Sequence, residues 1–257
     1  RLLNQSNGLL AGRESLALNG DQLDNSLGGR VTSQKDLTIS LTGGLLNQGQ
    51  GTLLSEGGLT VRAGTLDNSR GGILSAANAL SITTQGQLNN QAGKLLADGT
   101  ATLVSTALNN SQGGVISAKQ QVDVRSAGLD NSQRGSISSD AGITLNAGRL
   151  DNSQQGSIFA KSTVKATLTG LDQHDRGELI SNTSIDLDLS HGQLINRDHG
   201  LIATPGQLLL NNLGTVDNSQ GGEISSTQSF LWMADALNNR GGKVNRGDSR
   251  QVRIAKA

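Results

Sequence analysis

Few residues in this chain have the chemistry for a reactive or ligand-binding site. Three histidines, His174, His191 and His199, lie close in sequence to Asp175 and Asp198. Imidazole with carboxylate is a metal-ligating set, but no pair has the i,i+4 spacing of a helical site and no ligand motif recurs. They read as solvated turn residues, and no metal or other cofactor is expected. Asp130, Asp151 and Asp172 recur at a constant interval of 21 residues. Stacked carboxylates could attract calcium, yet Arg134, Arg149 and Arg176 sit beside them and no G-G-x-G-x-D loop is present. A solvated, charge-balanced face is the expectation. In "NRGDS", Arg246, Gly247 and Asp248 spell an integrin-recognition triplet inside a polar turn between Val244 and Val252. That is a candidate cell-binding turn, and its plain alternative is a polar turn. Phe230 and Trp232, two residues apart, are placed to fill a core rather than to stack a sugar. No nucleophile, base and orienting group recur together, so no catalytic residue is assigned and an enzyme is not expected.

What positions these residues is a repeat. A leucine–asparagine phrase opens at Leu2, Leu23, Leu45, Leu66, Leu88, Leu108, Leu129, Leu150, Leu171, Leu194, Val216 and Leu237, twelve copies spaced 20–23 residues apart. No linker or charge run interrupts them, so residues 1–257 read as one continuous array. The pattern is in mid-phase at both Arg1 and Ala257, as expected for a fragment of a much longer filament.

Within each copy the aliphatics hold fixed phases. After Leu129 they fall at Ile137, Ile143, Leu145 and then Leu150; after Leu66 at Leu74, Leu80 and Ile82. Two residues between Ile143 and Leu145 is strand alternation, and the short apolar segments between Gly, Asn, Ser and Gln cannot hold helices. Each copy is therefore about three short strands, and stacking copies in phase gives an all-β parallel β-helix, a solenoid of about twelve coils of roughly 21 residues. A leucine-rich repeat has a similar period but places its asparagine three residues after Leu-x-Leu; here Asn152 follows Leu145 by seven.

Alternation from an inward leucine turns the residue two places on inward as well. That predicts a buried column of Asn4, Asn25, Asn47, Asn68, Asn90, Asn110, Asn131, Asn152, Asn196, Asn218 and Asn239, with Gln173 in the remaining coil. An unpaired buried amide costs roughly 1–3 kcal/mol, so these side chains are expected to pair coil to coil as a structural amide ladder. About four aliphatic positions per coil, at roughly 1.5–3 kcal/mol each, oppose the ordering entropy of some twenty residues, so a coil depends on its neighbours.

Composition narrows the function classes. Basic and acidic residues number 21 each, which leaves no basic stripe for nucleic acid and no polybasic patch for lipid. Cysteine is absent, and no apolar run is long enough for membrane insertion. Only two Phe and one Trp occur, as suits a core of repeated aliphatic layers.

The phrases Leu129–Asn131, Gly135–Ile137 and Ile143–Leu145, and the wording VDNSQGG at 216–222, resemble the repeat of filamentous haemagglutinin-type exoproteins. That family includes the filamentous haemagglutinin adhesins and the CdiA toxins of contact-dependent growth inhibition. The resemblance implies a right-handed β-helix, export by an outer-membrane two-partner-secretion transporter, and a secreted or bacterial cell-surface location. It implies a structural shaft that projects a binding tip or toxin from a Gram-negative cell, with a target-cell or host receptor engaged elsewhere in the protein. The alternative is a lateral binding module for a host, biofilm or target-cell ligand, the Arg246–Asp248 triplet included; a polysaccharide-cleaving β-helix would need clustered carboxylates and a cleft wall.

Overall fold

The computed structural model describes residues 1–228, 230–247 and 251–254, and every regular element among them is a β-strand. Local alternation explains why. Leu59–Ala63 turns Leu59, Val61 and Ala63 inward and leaves Thr60 and Arg62 outside, a period only extended backbone satisfies. One lap consists of Thr52–Ser55, Leu59–Ala63 and Thr65–Asp67. The chain is a parallel β-solenoid of about 12 turns at ~21-residue spacing.

Contacts group the chain into two units, Arg1–Ala127 and Gly128–Ala257. In the first, like residues stack on like: Val31 pairs with Leu53, Leu53 with Leu74 and Leu74 with Leu95. Leu37, Leu59, Leu80 and Ala101 form a second such column. In the second unit Ile158 pairs with Leu179 and Leu179 with Ile202. Each unit has two parallel sheets. One holds the four-residue strands of each lap, such as Ile73–Ala76 and Glu178–Ser181; the other holds the remaining strands. Those remaining strands are not always separate, as three strands per coil would require. In Ala101–Asn109 and Ile143–Asp151 two of them merge into nine-residue strands, so that corner is a bend within one sheet.

The core lies between the sheets and is built from the aliphatic phases, with Val31, Leu53, Leu74, Ile137, Ile158 and Ile202 all fully buried. Phe230 and Trp232 join it in the second unit. Trp232 pairs with Leu210, and the register then shifts between Leu210 and Leu213, where Asn211 and Asn212 are exposed. The extra residue of the bulge belongs to the lap that precedes the rings, next to Leu210, the pairing partner of Trp232. Trp232 Nε1 is buried without a hydrogen-bond partner among the described residues, so the indole serves there as volume.

Since each lap contacts chiefly its neighbours, excising one whole lap should preserve the fold. Deleting residues 150–170 brings Leu171 into the phase of Leu150 and should leave a cooperative, β-type melt. Deleting 150–160 puts the following aliphatics out of phase and should abolish it. Circular dichroism melts of the two variants check this.

Candidate functional site

The feature that recurs in every lap is an amide at the end of one strand together with the turn that follows it, the amide being buried in every lap but the last, where Asn239 is half-buried. In the first unit Asn25 Nδ2 donates to Asn47 Oδ1 at 2.7 Å, Asn47 to Asn68 at 2.8 Å and Asn68 to Asn90 at 2.8 Å. Asn4 donates to Asn25, and Asn90 to Asn110, each at 2.7 Å. In the second unit Asn131 donates to Asn152 at 2.7 Å, Asn196 to Asn218 at 2.7 Å and Asn218 to Asn239 at 2.7 Å. Gln173 keeps its place between Asn152 and Asn196, at 3.1 Å on either side; its longer arm still reaches. Each of these bonds runs from the earlier lap to the later one.

Each amide nitrogen does more than climb the ladder. Asn47 Nδ2 also donates to the carbonyl of Gly51, four residues on, and to that of Ile73 in the next lap, at 3.0 and 3.2 Å. One side chain thus ties its own turn to two strands of the following lap. With Asn25, Asn47, Asn68 and Asn90 fully buried, leaving these groups unpaired would carry the full desolvation penalty.

The turn contains a residue type that alternation does not reveal. A glycine closes it in every lap, as at Gly29, Gly51, Gly72 and Gly114. A Cβ on Gly114 would lie 2.5 Å from the Asn90 carbonyl oxygen, 2.6 Å from that of Asn110 and 2.7 Å from Asn110 Oδ1, distances that real Cβ atoms essentially never show. Glycine is needed here for close approach. Just before it the backbone is left-handed, at Gln133 and Arg134 (φ 52° and 67°) and at Gln154 and Gln155 (φ 52° and 66°). Two such residues in succession reverse the chain, at the modest cost that non-glycine side chains incur in that region.

The carboxylates at the preceding position hold the turn from its other side. Asp24 Oδ1 accepts from the Ser26 amide at 3.2 Å and its hydroxyl at 2.6 Å. Asp130 does the same for Ser132, and Asp151 for Ser153. Asn109 replaces the carboxylate for Ser111. A solvated acidic face is therefore not what the fold provides. Asp130 and Asp151 are half-buried turn caps, and Asp172 is buried. Asp172 takes Arg149 Nη2 at 3.0 Å and His174 Nδ1 at 2.7 Å. Arg134 instead meets the Gln155 side chain. Burial pushes the Asp24 carboxyl up, but the Ser26 hydroxyl and amide and the Arg1 guanidinium outweigh it. They hold the carboxyl below the ordinary aspartate value of 3.8.

The other candidates do not converge. His174 is committed to Asp172, His199 lies against Gly221, and the described residues contain no group of three or more His, Cys, Asp or Glu arranged to hold a metal. Asp248 of the Arg-Gly-Asp triplet lies outside the described residues, as does the Arg246 side chain; Gly247 donates its amide to the Ser226 carbonyl at 3.2 Å. The second unit has a groove of about 410 Å³, with Ile180 and Ala203 among its lining and Pro205 and Thr227 at its side.

Comparison with protein families matches the haemagglutinin repeat at residues 1–49, 43–92 and 89–255. The chain belongs to the haemagglutinin repeat family. Comparisons with curated proteins and with solved structures found no match.

Within this haemagglutinin repeat the amide, the closing glycine and the Asx cap form one unit. The glycine and the cap both have a sequence signal, a glycine at one phase of each lap and an Asp-x-Ser or Asn-x-Ser pair. Three variants weigh the parts. Asn68→Asp buries a carboxylate against the carbonyls of Gly72 and Lys94 and should cost about 3 kcal/mol or more, whereas the double change Asn47→Leu with Asn68→Leu should cost less. Gly114→Ala should destabilise by about 2 kcal/mol or more, while Gly20→Ala, whose Cβ would meet nothing within 4 Å, should be neutral or stabilise by about 0.5 kcal/mol. Urea titrations compare both sets. The depressed Asp24 carboxyl contributes stability that is full above the ordinary aspartate range and is lost as pH falls through the lowered value. Asp24→Asn should accordingly lower the melting temperature at pH 7 and change it little at the lowest pH, so that the melting temperature of the variant depends less on pH below about 4.

Proposed function

We propose that this chain is a structural shaft segment of a large secreted exoprotein, an adhesin or a contact-dependent growth inhibition toxin, exported by two-partner secretion to a Gram-negative cell surface. On this reading its laps form one continuous array, a distal tip or toxin beyond the shaft engages the target cell, and the partner on the producing side is the outer-membrane transporter. The observation that carries the reading is the sameness of the laps. Repeat lengths stay within 20–23 residues, and the same amide bond recurs from lap to lap. A chain that spends its buried polar groups on register, and raises no long insertion to wall a cleft, is suited to carrying load and setting distance. Membership of the haemagglutinin repeat family supports the same role. The role calls on no catalysis, no nucleic acid and no membrane insertion by this segment.

Labelled chain added to mammalian and bacterial cells tests it. A shaft should show no saturable binding. Saturable binding that Asp248→Glu abolishes would favour the second reading, in which the Arg246-Gly247-Asp248 turn is a lateral recognition site.

A further inference from the structure

The outer faces of the four-residue strands carry aliphatic side chains among polar ones, and the two units differ there in charge. In the first unit Leu54, Ile73, Leu96 and Val115 point outward and remain half-exposed, with Arg30 and Lys94 exposed among them. No carboxylate occupies an outward position of these strands, and neither cation enters an ion pair among the described residues. In the second unit the corresponding face carries Phe159, Ile180, Leu201 and Ala203, with Glu178 and Glu223. Neither glutamate is in an ion pair among the described residues, and the face's one described cation, Lys243, stands on its last strand. The other sheet turns out Thr60, Arg62, Ser81 and Thr83 in the first unit and Lys165 and Asp186 in the second, an ordinary polar exterior.

Aliphatic side chains that recur on water-facing strands, interleaved in the first unit with Thr32, Thr52, Ser75 and Ser117, offer a contact surface. The complement to a basic apolar face is an acidic apolar one, and this chain carries both. We propose that the protein self-associates side by side, the basic face of one copy's first unit lying on the acidic face of another copy's second unit. Leu54, Ile73 and Leu96 pack against Phe159, Ile180 and Ala203, the last two lining the groove that would receive an aliphatic side chain. Arg30 and Lys94 meet Glu223 and Glu178. Six strands at about 4.8 Å by four residues at about 3.3 Å give a face of roughly 380 Å². One such contact buries roughly 760 Å², below the ~1,200 Å² of stable complexes, so it is weak by itself and operates where copies are crowded. The charges set which faces meet and the aliphatic side chains supply the attraction.

Sedimentation velocity on the intact chain over a rising concentration series tests this. Association should appear at high concentration and weaken with added salt. The charge-reversed pairs Arg30→Glu with Lys94→Glu, and Glu178→Lys with Glu223→Lys, should each weaken it by more than about tenfold. An equimolar mixture of the two variants should associate again, because each then offers the face that the other lacks. Thermal melts matching the parent chain confirm that the variants fold; if a reversal disrupts the fold, Lys94→Gln and Glu178→Gln replace it and should each weaken association without recovery on mixing. A chain that stays monomeric at all concentrations overturns the proposal. So does association indifferent to both reversals, or folded reversed variants that fail to recover each other on mixing.

Discussion

A primary amide sealed inside a protein must find partners for two hydrogens and a carbonyl oxygen, and the whole architecture follows from how this chain meets that requirement. Asn47 answers it with three acceptors drawn from two laps, and Asn25 supplies the donor for its oxygen. The solution works only if the following lap returns to the same height and phase. Aliphatic columns such as Val31, Leu53 and Leu74 supply most of the free energy, but hydrophobic contact is tolerant of small slips. Hydrogen bonds at 2.7 Å are not, so the amides convert a greasy stack into one with a single register.

The turn is subordinate to that ladder. Gly114 is glycine because the ladder's carbonyls occupy the space a side chain would take. Asp24 and Asn109 are short polar residues because the strand must end there and the next amide needs an acceptor. The left-handed pairs that follow, Gln154 with Gln155 for example, tolerate many side chains because those side chains point to solvent and only the backbone is constrained. Sequence variation therefore concentrates where it costs least, and the fixed letters of the repeat are those with a partner one lap away.

Much of the fold was legible from the sequence, and the limits have physical causes. The aliphatic phases around Ile143 and Leu145 show a period of two, and the return of asparagine at fixed spacing announces stacking. Strict alternation fails where a strand ends. It casts Asp130 and Asp151 as solvated carboxylates, while the chain there curls back and their oxygens turn onto Ser132 and Ser153. The Asp-x-Ser spacing held that information but reads as polar turn composition unless the turn is built. Arg149 with Asp172 lies 23 residues apart, slightly more than a lap, and no local pattern joins them. The merging of strands in Ala101–Asn109 depends on what the neighbouring lap offers for pairing. Similarly, the outward Leu54 and Leu96 look like any other apolar letters until the sheet shows which side they face.

Because the amide bonds of the ladder from Asn4 to Asn110 all point the same way, a slice across it has two unlike surfaces. One displays hydrogens and the other oxygens, as the two poles of a magnet differ. Parallel sheets alternate their donors and acceptors along each strand and carry no comparable bias. Two such slices can mate head to tail but never head to head, where oxygen would confront oxygen. Sense of direction is thus written into the interior of the molecule, lap after lap, by a side chain that solvent scarcely touches until the last lap.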